Sequence, residues 1–470
     1  MKLRLFAAID FRSCNNSLNP PPLSAEETAE VRMTSAGPRL MLFDFANLGA
    51  CMKFGFSPSL FSGLLMMVAM SADAATEIAA PEIVVGDRSV GCAEDPGCMN
   101  RLHPDIPMIA EAEPGQRIVF NSRDAFDLTL DPDKISSART NPRQGVGIVH
   151  ALTGPVSING AKAGDVLAVT IESLEPAKVG WTQAGPLGFA ADQFGTDELF
   201  IVWRLDDDYA VSDALPGVRI PNNSFPGVVT TLPGKELLAD VLVRETQLLR
   251  SGGTVFNPDP DEAEPRSLCG KGGTKSSECL RTVPPREHGG NMDIRYITTG
   301  TTVYLPCLVD GCGLAVGDFH YAQGDGEVAG TAIEMGGRMT VTARITEDPP
   351  NLAYGPHYEG PASVLRIPSK RFYAVTGIPL KDKGTVPADL AYLDSPKIAG
   401  LTNLSGSINL AARNALAAMI DYIVTEYGYD RAQAYIIASV AVDMRIGQLV
   451  DAPNVGVTAV LPLDIFVGRD

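Results

Sequence analysis

From about residue 110 onward, short apolar runs alternate with polar positions and are punctuated by glycine and proline. QRIVFNS (116–122) reads as a strand. PVSINGAKAGDVLAVTIESLE (155–175) reads as a strand, a tight turn at Ala163-Gly164-Asp165, and a second strand. LFIVWRL (199–205), TVYLPCLV (302–309) and RMTVTARI (338–345) continue the pattern. Helical spacing appears late in the chain. Between 405 and 427 it places Ile408, Ala412, Leu416, Met419, Ile420 and Ile423 on one face, with Gly428 as the stop. Asp430 is placed to cap a second helix, RAQAYIIASVAVDM, and the tail 445–467 is strand-like again. The fold class expected is predominantly β (α+β), sandwich- or barrel-like, with a few helices near the C-terminus.

With 470 residues, 46 of them glycine and 35 proline, the chain can build a large core of strands and turns. Its formal charge of −18, with no basic cluster to offset it, argues against nucleic acid as a partner. No repeat period points to a solenoid. Residues 1–51 read as an untranslated or disordered leader. Residues 52–74 read as a signal peptide: Lys53, an apolar stretch from Leu60 to Met70, and the small-residue pattern Ala72-Asp73-Ala74. The apolar stretch falls short of the ~20 residues that span a bilayer. The mature chain is therefore expected in the periplasm or outside the cell, with no membrane anchor.

Six cysteines follow the leader, in three close couples: Cys92/Cys98, Cys269/Cys279 and Cys307/Cys312. Local disulfides suit an oxidising compartment. Residues 75–250 and 286–470 are read as two β-rich parts of one catalytic unit, and 251–285 as a cysteine-stapled surface insertion.

The chemistry concentrates in two polar segments. There is no GxSxG elbow and no HExxH pair, and Thr274 spoils the phosphate-loop reading of GKGGTKS. GDFHYAQGDGEVAG (317–330) holds Asp318, His320, Gln323, Asp325 and Glu327 in a chain with five histidines. On an extended strand, Asp318 and His320 share a face; after a glycine-rich turn, Asp325 and Glu327 share a face on the returning strand. Such a hairpin aims carboxylates and an imidazole at one point, as a divalent ion requires, and an unligated carboxylate serves as general base. Upstream, PPREHGGNMDIR (284–295) adds His288, Gly289, Gly290, Asn291 and Asp293 in a tight bend.

PREHGGNMD followed by a strand and GDFHYAQGDGEVAGTAIE resembles the acetamidase/formamidase family of amide hydrolases. HALTGPVSINGAKAGDVLAVTI, GWTQAGPLGF, IPNNSFPGVV and SVAVDMRIGQLVDAPNVGVTAVLPLDIF are similar to further segments of it, across roughly residues 110–468. The resemblance implies hydrolysis of a small carboxamide and oligomers, commonly dimers. It also implies a bound divalent metal, most often zinc, with Asp293, Asp318 and His320 as ligands. Glu327 is then a fourth ligand or the base, Asp325 a second catalytic carboxylate, and His288 a residue that orients substrate. Asn291 and Gln323 hold the amide group. The backbone N–H groups of His288-Gly289-Gly290 stabilise the oxyanion. The exported start, the cysteine couples and the 251–285 insertion depart from the family pattern. Hydrolysis of a cyclic amide, or ligand binding without turnover, are the alternative readings.

Overall fold

The computed structural model describes residues 80–468 apart from 132, 134–136, 139–147, 186–187, 192–197, 251, 254, 353–354 and 449–454. The leader and signal-peptide readings lie outside these residues.

The sheet is organised around two long antiparallel strands, Val166–Ala184 and Glu334–Ile345, which pair along most of their length. Strand Arg117–Ser122 flanks Glu334–Ile345 on its other side. Leu199–Leu205 and Thr302–Pro306 extend from Val166–Ala184. Leu314–His320 joins the end of Glu334–Ile345, and itself pairs with Phe225–Thr230 and Leu152–Ile158. Among the described residues sixteen strands belong to this sheet, and their pairings branch without closing a ring. The expected β class stands; a closed barrel does not form.

Alternation explains the burial. In Val166–Ala184 the residues Leu167, Val169 and Ile171 are buried while their neighbours are half-exposed, the signature of a sheet with one face in the core. The turn before it uses Gly164 at φ +102, where the Asp165 carboxylate accepts the Lys162 N–H.

Residues Ile408–Tyr427 and Arg431–Ala441 are the two late helices. Ser407 caps the first, Gly428 ends it in the left-handed region, and Asp430 with Gln433 forms a capping box for the second. The first packs on a three-stranded sheet of Phe372–Gly377, Gly456–Pro462 and Asp443–Gln448. Among the described residues no helix is long and apolar enough to cross a membrane.

Two findings depart from the sequence reading. Lys235–Arg250 is a helix that lies inside the part expected to be β-rich, and it buries Leu238 and Val241. The stapled insertion is more than a surface loop: Ala263, Cys269 and Leu280 pack with Leu238, Val241, Leu102 and Ile106 in a second core. All three cysteine couples are disulfide-bonded as neighbours.

Candidate active site

Where Leu314–His320 meets Phe225–Thr230, Asp318 stands opposite Gly227 in the ladder. A Cβ on Gly227 would lie 2.6 Å from Asp293 Oδ1 and 2.7 Å from Asp318 Oδ2. The bare backbone there lets two carboxylates converge. Asp318, Asp293 and Glu327 all have positive φ, at +55, +48 and +43. Left-handed backbone costs a non-glycine residue roughly 1–2 kcal/mol, and clustered strain of this kind marks functional sites.

His320 is the hub. Its Nε2 lies 3.4 Å from Asp318 Oδ1 and 3.2 Å from Glu334 Oε2, and its Nδ1 lies 3.9 Å from Asp293 Oδ1. Phe225 meets the imidazole edge-on, at 5.0 Å between ring centres. Two ligand-like groups share His320: one with Asp293 and Asp318, the other with Glu327 and Glu334. Within each group, one donor atom per residue lies within 4.8 Å of the others. His150 adds an imidazole 3.8 Å from Asp318, its backbone N–H held by the Thr282 hydroxyl.

The surroundings leave several polar atoms open. His320 Nδ1 and Nε2, Asp293 Oδ1, Glu334 Oε2 and His150 Nδ1 are buried without hydrogen-bond partners. Buried polar atoms are ordinarily satisfied. A set of imidazole and carboxylate atoms left open toward one point fits a divalent cation, whose positive charge would offset the gathered carboxylates.

Charge crowding moves the titrations. Burial, aided by Asp318, pushes Glu334 up to about 8. Burial and the Asp293 charge lift Glu327 well above the usual carboxylate range, and burial raises Asp293 as well. Burial also opposes charge on Asp318 and His320. For Asp318 the His150 and His320 imidazoles outweigh it, holding the carboxyl below its ordinary value. For His320, Glu334 and Asp318 outweigh it and raise the imidazole well above its usual range.

These shifts give a testable pH dependence. Between Glu334's ordinary 4.5 and its raised value of about 8, the folded state holds a proton that the unfolded chain has lost. Stability therefore falls as pH rises through that window, and loss of the His320 proton acts in the same sense at higher pH. Protein stripped by a chelator is expected to lose up to ~1.4 kcal/mol per pH unit from Glu334 between pH 5 and 8. Thermal melts across that range, with and without added divalent ion, measure it. A flat profile for the stripped protein would contradict the crowding.

The structure places the other sequence candidates differently. Asn291 Nδ2 donates to Asp293 Oδ2 at 2.8 Å, and Gln323 Nε2 donates to the Asp293 carbonyl at 2.9 Å. Both amides thus hold Asp293, and their carbonyl oxygens, Asn291 Oδ1 and Gln323 Oε1, have no partner. Residues 325–330 form turns, and the returning strand begins only at Glu334. Asp325 accordingly leaves the cluster: Arg295 Nε lies 3.1 Å from its Oδ1, and the Tyr296 hydroxyl donates to its Oδ2 at 2.5 Å. His288 is fully buried; burial first, then Arg286, lowers its imidazole to about 4. Its Nδ1–H donates to the Thr231 carbonyl at 2.8 Å, so the neutral ring packs beneath the Thr230–Thr231 backbone. Gly289 N–H donates to the Arg286 carbonyl at 3.0 Å and is not free for an oxyanion.

His150 and Glu334 were not singled out from sequence. Each sits in a quoted segment, HALTGP and GTAIE; His150 lies far in the chain from Asp318, and Glu334 lies beyond the expected turn from His320. Glu334 pairs directly opposite His320 in the ladder, which puts both side chains on one face.

The chain is similar to several known proteins. The chain is 31% identical to a formamidase from Methylophilus methylotrophus, over 78% of this chain and 89% of that one. It is 30% identical to an acetamidase from Mycolicibacterium smegmatis, over 72% and 84%. The solved gamma lactamase from Delftia acidovorans superposes with a TM-score of 0.69 at 28% identity, over 82% and 93%. The model of the Acetamidase/Formamidase family matches residues 87–467, a span that contains Asp293, Asp318, His320 and Glu327. The ladder that gathers these residues and the length of that match lead to one assignment: the chain belongs to the acetamidase/formamidase family.

Proposed function

We propose that the protein hydrolyses short linear carboxamides, of the formamide or acetamide type, to the acid and ammonia. The observation that carries this reading is the buried knot of His320, Asp293, Asp318, Glu327 and Glu334, with its open donor atoms, in a chain of this family. Asp293, Asp318 and His320 would hold a divalent cation, with zinc the expected ion. When bound, such an ion supplies Lewis acidity to the amide carbonyl and to an attacking water.

The chain's own residues supply the rest. Glu327 is only half-buried, whereas Glu334 is 3% exposed and accepts the Ala332 N–H at 2.9 Å. Of the two glutamates Glu327 is thus the one that solvent reaches, and burial together with the Asp293 charge raises its carboxyl well above the usual range, so that it can carry a proton between transfers. It takes a proton from water as the water oxygen bonds to the carbonyl carbon. It then returns that proton to the nitrogen as the C–N bond breaks and ammonia leaves. Asn291 Oδ1 and Gln323 Oε1 are open acceptors and can receive the N–H groups of the substrate amide. Glu334 and Asp318 keep the His320 ring charged and oriented when no cation is present.

A cyclic amide is the second reading, favoured by the likeness to a gamma lactamase. Export to an oxidising compartment, supported by the three local disulfides, and assembly as a homodimer or higher oligomer, implied by the family likeness alone, complete the proposal.

A substrate panel tests it. Formamide, acetamide and a five-membered lactam are assayed for ammonia release or ring opening, before and after chelation and after zinc is restored. Turnover of the linear amides, lost on chelation and regained with zinc, is expected. Turnover of the lactam alone would favour the second reading, and no turnover of any amide would overturn both.

A further inference from the structure

The stapled segment 251–285 has no role in the catalytic reading, yet it walls a cavity of about 330 Å³. That is a size at which small-molecule pockets begin, roughly 300 Å³. One side is the start of helix Lys235–Arg250, presenting Lys235, Leu238 and Leu242. The other side is Lys275 and Glu278, next to the Cys269–Cys279 bond, and His103 lies between them.

His103 decides what the cavity accepts. Its side chain is 2% exposed, and its Nδ1 accepts the Asp105 backbone N–H at 3.0 Å. With that lone pair engaged, the neutral ring carries its proton on Nε2. Nε2 is buried without a hydrogen-bond partner. The nearby Glu278 Oε2 stands 3.8 Å away, too far for a bond.

A metal ion does not suit this arrangement, since Nε2 has no lone pair to give and Lys275 lies 3.3 Å from the Glu278 carboxylate. An anion is not favoured either, because Asp105 and Glu278 offset the charges of Lys235 and Lys275. What fits is a neutral group offering an acceptor to Nε2–H and, beside it, a donor to Glu278. A primary carboxamide has both, the oxygen and the nitrogen on one carbon. Leu238 and Leu242 are one helical turn apart, ~6 Å along the axis, and form an apolar wall for a chain of a few carbons.

We propose that this cavity is an accessory binding site for a neutral aliphatic primary amide. It shares no residue with the His320 cluster, and the proposal does not depend on the hydrolytic reading.

The test uses calorimetry on full-length His320→Ala protein, with pentanamide as the probe and pentanoate as its charged counterpart. Ammonia release by the wild-type protein from the same amide is followed in parallel, so that failure of the hydrolytic reading shows separately. Leu242→Lys or Glu278→Ala is added to the same background; both residues are partly exposed, and thermal melts check that each variant folds. Pentanamide is expected to bind, at least tenfold more weakly in either variant, with pentanoate at least tenfold weaker than pentanamide. Absence of binding, binding unchanged by both substitutions, or pentanoate binding as well as pentanamide overturns the proposal.

Discussion

His320→Ala is expected to abolish both stoichiometric divalent-metal binding and amide hydrolysis. The imidazole is common to both ligand-like groups, and its removal leaves Asp293, Asp318, Glu327 and Glu334 without their shared positive partner. Polarisation of a carbonyl by a bound ion is worth several kcal/mol. At 1.36 kcal/mol per decade of rate, kcat/KM should therefore fall by roughly 10³ or more. Elemental analysis of purified wild type and variant, beside ammonia release from acetamide, gives the answer. A His320→Ala protein that binds no metal and keeps wild-type activity would sink the metal reading.

Glu327→Gln separates the base from the ligands. The amide keeps the shape of the side chain but cannot take a proton. If Glu327 is the general base, metal content stays and kcat falls ~10²–10⁴-fold. The partial exposure of Glu327, against the complete burial of Glu334 beside His320, favours this outcome. Loss of metal together with activity would make Glu327 a ligand instead. Retained metal with wild-type kcat would remove Glu327 from the chemistry altogether. Metal content and kcat measured on the same preparation distinguish the three cases.

Much of the site was legible in the order of residues. Asp318 and His320 lie two positions apart on a strand, so period-2 geometry alone brings them together. Asp293 and Glu327 stood out in their polar segments, the family likeness implied their roles, and the structure places both at the cluster. Asp325 shows the limit of local reasoning. A hairpin was expected to turn at Gly324 and Gly326, which would have aimed Asp325 alongside Glu327. The backbone instead makes two turns before Glu334, and Gly324 N–H donates to the Ser439 carbonyl. That contact comes from a helix more than a hundred residues away, and Asp325 ends beside Arg295 instead. His288 was expected to orient substrate because the family likeness of its segment implied it. The ladder between Gly289–Asn291 and Phe225–Thr230 puts its ring against Thr230 and Thr231.

By itself, the sequence determined the β class, the two late helices with their caps, and the neighbour pairing of the six cysteines. Each of these signals is complete within a few residues: alternation, a capping side chain, a short loop between thiols. Helix Lys235–Arg250 was missed although its signal was equally local, in KELLADVLVRETQLLR, because the glycine- and proline-rich stretch before it drew a β reading. Only the tertiary structure decided the full membership of the site. Glu334 enters through its register opposite His320. His150 enters through the strand Leu152–Ile158 pairing with Leu314–His320, and Gly227 through the closeness its missing side chain permits. Register between strands is a non-local quantity, fixed when whole faces bury together, and no single segment of the chain contains it.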